Sequence, residues 1–225
     1  MRPTRSFIAS AFLFLAGASA LAAQGRIVDE GTFIITRRGA PTQTESFRIR
    51  SDNGQLLATG QLNAGTHRVS SALTTDSVGT PIDYKLTVRD NGAETLNISA
   101  MNRAGRLTAR SQVPRGDEST REYPIVAGNS LILDDDLLHQ LYFLPLSKRG
   151  GMQIIRPRSS RGGMALLTPH GLEPLTIGGR GVTATHYTLT SGTMVRDFWV
   201  DSAGRLLQVE SAAEGLKAVR EELPR

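Results

Sequence analysis

Twice in this chain an Asp-Asn-Gly triplet stands between two runs that alternate apolar and polar side chains, and that arrangement narrows the fold more than any other feature. In FRIRSDNGQLLATGQL, Phe47 and Ile49 alternate with Arg48 and Arg50 ahead of Asp52-Asn53-Gly54. In DYKLTVRDNGAETLNISAMN, Tyr84, Leu86 and Val88 share one face and Lys85, Thr87 and Arg89 the other, ahead of Asp90-Asn91-Gly92. A side-chain period of two marks a strand with one face buried, and Asn and Gly accept the positive φ of a tight hairpin turn. Further alternating runs lie at 106–113, 120–126, 185–190, 194–201 and 205–210, separated by polar or glycine-bearing loops. The pattern predicts a mainly all-β chain: a curved antiparallel sheet or open barrel of about ten to twelve strands, with one short helix packed on its concave face.

That helix is read from NSLILDDDLLHQLYFLPL, where Leu137, Leu138, Leu141, Tyr142 and Leu144 recur at helical spacing until Pro145. Asp134, Asp135 and Asp136 stand where they would cap its N-terminus and complement its dipole. As a calcium site the triplet is poorly built, because consecutive aspartates cannot all face one ion. Residues 212–225 read as a helical or loose tail, with 212–223 a weak and rather polar helix at most.

The N-terminus bears on compartment. MRPTR carries two arginines and no acid, residues 7–21 are apolar or small, and Ala20 and Ala22 precede Ala23 in a small-residue cleavage pattern. The expectation is a cleavable signal peptide over 1–22, export to a periplasm or the exterior, and a single β-rich domain over 23–225. The apolar run is shorter than a membrane span requires, and no later segment of the mature chain is long and apolar enough to cross. The 225 residues less these 22 leave 203, enough for one core, and with no cysteine in the chain neither disulfides nor thiol chemistry enter. Of 26 basic residues, Arg2 and Arg5 leave with the signal, so 24 face 21 acidic ones, a net +3 too mild for a nucleic-acid binder.

Motifs for chemistry fail when sought. There is no G-x-S-x-G elbow, no phosphate-cradling G-x-x-x-x-G-K loop, and both Asp76-Ser77-Val78 and Asp201-Ser202-Ala203 put a side chain where an aspartic protease has glycine. His67, His139, His170 and His186 are scattered without the spacing of a zinc helix, and His186 should face the side of the sheet opposite Tyr187. No cofactor and no metal is expected. The most basic stretch, SKRGGMQIIRPRSSRGG, places Lys148, Arg149, Arg156, Arg158 and Arg161 in one flexible segment, a contact for anionic lipid or polysaccharide if it is more than a solvated loop. Trp199, between Phe198 and Val200, requires a strand covered on both faces or one exposed apolar side chain.

The run from Thr188 through Phe198-Trp199-Val200-Asp201-Ser202-Ala203-Gly204-Arg205-Leu206 resembles the closing hairpin of uncharacterised exported bacterial β proteins, in which W-x-D-x-x-G-R-L leads into the last strand. The segment 133–144 is similar to their middle. Envelope carriers that wrap a curved sheet around a helix to hold lipid share such features weakly. The resemblance implies a fold and a compartment and carries no catalytic residue. Three functions follow in order. The first is a non-catalytic envelope binding or carrier module, with Leu137, Leu141, Tyr142 and Trp199 facing an apolar ligand or partner segment. The second is a structural or assembly protein that meets an envelope protein or anionic surface through the basic loop 148–161. The third is a hydrolase-type enzyme without a recognisable motif, built on His139 or His186 with a nearby aspartate.

Overall fold

Both Asp-Asn-Gly triplets turn the chain as tight hairpins, with Asn53 and Gly54 at φ 48° and 76° and Asn91 and Gly92 at 52° and 82°. The computed structural model describes residues 25–147 and 151–225. The segment 1–22 expected as a signal peptide, and Lys148 and Arg149, lie outside the described residues.

Eight strands follow one another as hairpins: β1 (Arg26–Arg37), β2 (Gln43–Asp52), β3 (Gln55–Ala64), β4 (His67–Asp76), β5 (Pro81–Asp90), β6 (Ala93–Arg103), β7 (Arg106–Gln112) and β8 (Glu118–Pro124). A short β9 (Ser130–Ile132) precedes a 3-10 helix (Leu138–Leu146). The rest is β10 (Gly151–Arg156), β11 (Arg161–Ile177), β12 (Arg180–Ser191), β13 (Met194–Val200), β14 (Leu206–Ser211) and β15 (Leu216–Arg220). All belong to one 15-stranded sheet, more strands than the sequence predicts, ordered from β8 back to β1, then β15 down to β9. Every pairing is antiparallel except β9 with β10.

The order itself forces curvature. The two ends of the sheet, β8 and β9, are consecutive in the chain and joined only by residues 125–129. Fifteen strands laid flat would span roughly 65 Å at ~4.8 Å per gap, while that connection reaches about 20 Å, so the sheet must curl until its ends approach. The ends come together without pairing: Gly162 at the start of β11 sits beside the Tyr123 ring of β8. An open barrel results.

Its inner face holds the main core, with Phe33 and Ile35 of β1, Phe47 and Ile49 of β2, Tyr84 and Leu86 of β5 and Phe198 of β13 among its members. The helix lies inside this concavity, with Leu138 to Leu144 buried. It departs from expectation in type and capping. It is 3-10 rather than α, contains Pro145 instead of ending before it, and takes no cap from the acidic triplet. A segment buried over Leu138 to Leu144 on all sides gains nothing from an amphipathic α-helical stripe, and it adopts the slimmer 3-10 form.

The helical or loose tail expected over 212–225 is corrected as well. Leu216 and Ala218 point inward and Val219 outward, so the five residues of β15 alternate as a strand and pair with β14 on one side and β1 on the other. Arg220 then seals the join of first and last strands. It donates to Asp29 at 2.7 and 3.1 Å, both groups almost fully buried.

A second, smaller apolar cluster lies on the outer face. The β11–β12 hairpin runs past the pairing with β13 and folds across the outside of β13–β15, so that Ile177 and Ala184 cover Trp199 and Leu207. Phe198 and Val200 face the core while Trp199 faces this arm, so the strand is covered on both sides.

Candidate functional site

Polar chemistry collects in three places: the interior, one rim of the barrel, and the root of the outer arm.

In the interior, Glu45 occupies an inward position of β2, in phase with Phe47 and Ile49. Its carboxylate accepts the backbone N–H groups of Leu138 (2.7 Å) and His139 (3.0 Å) and approaches His139 Nδ1 at 2.5 Å. These are N–H groups that the first turn of any helix leaves without partners. The His139 ring lies against Gly60 of β3, where a Cβ would collide with it, and is stacked at 6.2 Å on Phe47. Ser71 is the register partner of Gly60, and its Oγ, like His139 Nε2, is buried without a protein partner. The carboxylate–imidazole pair is not completed to a hydrolytic triad, because His139 Nε2 and Ser71 Oγ share no hydrogen bond, and Glu45 and His139 are 0% and Ser71 7% exposed. A group closed off from solvent offers a substrate no attack geometry, and Glu45 serves to fasten the helix inside the barrel.

The rim is formed by the turns β1–β2, β10–β11, β12–β13 and β14–β15, where the chain enters the helix. Here the aspartate triplet meets the basic stretch. Asp135 pairs with Arg156 at 2.9 Å, Asp134 lies 3.6 Å from Arg158, and Asp136 pairs with Arg158 and, at 3.5 Å, with Arg37. Burial pushes the carboxyl of Asp134 above the usual range, and the Arg158 guanidinium opposes that rise. Arg196, inward on β13 and 5% exposed, holds Glu214 through two bonds of 2.9 and 3.1 Å and donates to the Asp135 carbonyl. Arg37, Arg156, Arg161 and Arg196 thereby line one cleft of about 300 Å³, together with Asp135, Asp136 and Glu214. Arg161 makes no ion pair among the described residues.

At the root of the arm, side chains of three neighbouring strands form a chain of hydrogen bonds on the outer face. His170 Nε2 meets the Thr188 hydroxyl at 2.7 Å, and that hydroxyl donates to Asp197 at 2.6 Å. Asp197 lies 3.2 Å from His186 Nε2, His186 Nδ1 lies 2.9 Å from Glu173, and Glu173 accepts the Trp199 indole N–H at 2.9 Å. His186 lies face to face with Trp199 at 4.5 Å, and Tyr187 points to the opposite side of the sheet.

Leu137, Leu141 and Tyr142 are therefore core residues, and Trp199 stands on the other face of the sheet, apart from them. Arg156 and Arg158 answer the aspartates, whereas Arg161 is exposed at the rim. The residues that sequence reasoning missed are Glu45, Arg37, Arg196, Glu214 and Glu173. For two of them a signal exists: Glu45 and Arg196 each occupy the inward phase of an alternating strand, where a charge demands a partner. Among the described residues, no three of His, Asp or Glu are arranged to hold a metal ion, and no helix is long and apolar enough to cross a membrane.

No protein-family model and no curated protein matches this sequence. The fold has a likeness among solved structures. A protein from Brucella abortus described as a β-barrel-like protein of a domain of unknown function, DUF1849, superposes with a TM-score of 0.55 over 89% of this chain and 98% of that one, at 8% identity. At that identity the likeness is one of fold, and no residue role passes across it.

Proposed function

We propose that this chain is an exported, non-catalytic envelope protein that works from its arginine-lined rim, where it binds the phosphate or carboxylate groups of an anionic lipid or acidic polysaccharide. The observation that carries this reading is the cleft of about 300 Å³ in which four guanidinium groups meet three carboxylates, with Arg161 lacking an ion pair among the described residues. Guanidinium forks match the oxygens of such groups in two-pronged hydrogen bonds. Export rests on the N-terminal signal pattern of the sequence.

The apolar-carrier reading loses its main support, because Leu137, Leu141 and Tyr142 fill the concavity that a ligand would need. The enzyme reading loses its own, because His139 is buried in the core against Glu45, and both ring nitrogens of His186 are taken up by Glu173 and Asp197. Co-sedimentation tests the proposal. The protein should bind vesicles of phosphatidylglycerol and not of phosphatidylcholine, with binding weakened by salt and by Arg161→Glu. A soluble polyuronate in competition separates a polysaccharide from a lipid source. Equal sedimentation with neutral and anionic vesicles, or none with either and no polyuronate binding, would refute it.

A further inference from the structure

The hydrogen-bonded chain at the root of the outer arm is spent on no function so far described, and its geometry is demanding. Both nitrogens of His186 face carboxylate oxygens, Glu173 on the arm at 2.9 Å and Asp197 on the barrel wall at 3.2 Å. A neutral imidazole has one N–H and one lone pair, so it can satisfy only one of the two; the imidazolium donates to both. The ring is held tightly enough for this to matter, with its side chain 15% exposed and one face on Trp199.

We propose that His186 closes a pH-sensitive latch, tying the arm formed by the β11–β12 hairpin to the outer wall of the barrel when protonated and slackening it when neutral. The groups that face it are few. On β11 they are His170, its ring 4.6 Å away, and Glu173; on β12, Thr188; on β13, Asp197. The next residues along the same row are Glu210 on β14 and Lys217 on β15, register neighbours in series from Asp197, which pair with each other at 2.8 Å. The near field of His186 is thus set by two carboxylates and the His170 imidazole, with Lys217 paired to Glu210.

Glu173 supports the lower limit of the closed state. The Trp199 indole N–H, followed by His186, holds its carboxyl below the usual range. A depressed carboxylate contributes to stability above its unfolded value and loses that contribution only as pH falls through its folded value. The latch is therefore closed while Glu173 is ionised and His186 carries both ring protons, and loss of one of those protons opens it. What opens is the cover over the outer apolar cluster, because Ile177 and Ala184 of the arm rest on Trp199 and Leu207.

Trp199 is the only tryptophan of the chain, so its fluorescence reads the latch directly. His67 and His139 belong to other clusters and do not stack on it. Across mildly acidic to mildly alkaline pH the full chain should show one step in Trp199 emission, with faster amide exchange at residues 171–184 on the alkaline side. His186→Gln should abolish the step. Glu173→Gln, at a more exposed position and tolerant of folding, should move it to lower pH, because the imidazolium loses one of its two carboxylates. A wild-type emission flat with pH, or a step unchanged in both variants, overturns the proposal.

Discussion

Glu45 on β2 and His139 in the 3-10 helix are 94 residues apart in the chain and make a fully buried contact in which one carboxylate serves two backbone N–H groups and an imidazole nitrogen. Glu45→Ala leaves those three groups buried without an acceptor, at about 1–3 kcal/mol each. A loss of at least ~3 kcal/mol is expected in urea unfolding, a large share of the total for a domain of this size. Glu45→Gln, which keeps one acceptor oxygen, should lose about half as much. An unfolding midpoint unmoved in both variants would mean that the helix is held by packing alone.

Gly60 makes room for the His139 ring. A methyl group at position 60 must displace that ring, so Gly60→Ala should cost about 1–3 kcal/mol, the range of core overpacking. The same change in a His139→Ala background should cost markedly less. A double-mutant cycle with no coupling would contradict the contact.

Arg158 restrains the rise that burial imposes on Asp134. A carboxyl whose folded value is raised lends its stability below the unfolded value and loses it as pH rises through the folded one. Arg158→Ala removes the opposing charge, so its cost should be larger at pH 7, where Asp134 must stay ionised and buried, than at pH 4. A cost independent of pH would show that Asp134 does not sense Arg158.

Asp29 and Arg220 join the first strand to the last, and Arg220 also lies over the Phe47 ring at 5.2 Å. Burial pushes the Asp29 carboxyl up, against the pull of Arg220. Breaking the pair by Asp29→Ala leaves a buried guanidinium uncompensated and should cost about 3–5 kcal/mol. Replacing both by apolar residues of similar size should recover most of that loss. Equal destabilisation by the single and double replacements would place the stability in shape rather than charge.

Much of this architecture was legible because strand alternation and Asn-Gly turns are local signals. The β2–β3 and β5–β6 hairpins and the concave-side helix were readable from neighbouring residues, while for Trp199 two-sided cover was one of two readings that those residues left open. What was not legible depended on partners far along the chain. Helical spacing cannot separate a 3-10 from an α-helix, and the carboxylate that caps this one lies on β2. The aspartate triplet resembles a helix cap until the return of β10 alongside β9 brings Arg156 and Arg158 to it. Leu216–Arg220 is too short an alternation to stand out among polar neighbours, and only pairing with β1 and β14 makes it a strand.

That the barrel is filled by its own helix, so that binding is left to the rim, is the claim on which the functional reading depends. Native mass spectrometry of the protein purified from the cells that make it measures this most directly. The reading predicts the mass of the chain alone once salt has removed what the rim holds. A lipid retained through that wash, and still present in the Arg161→Glu variant, would place a ligand in the interior and contradict it.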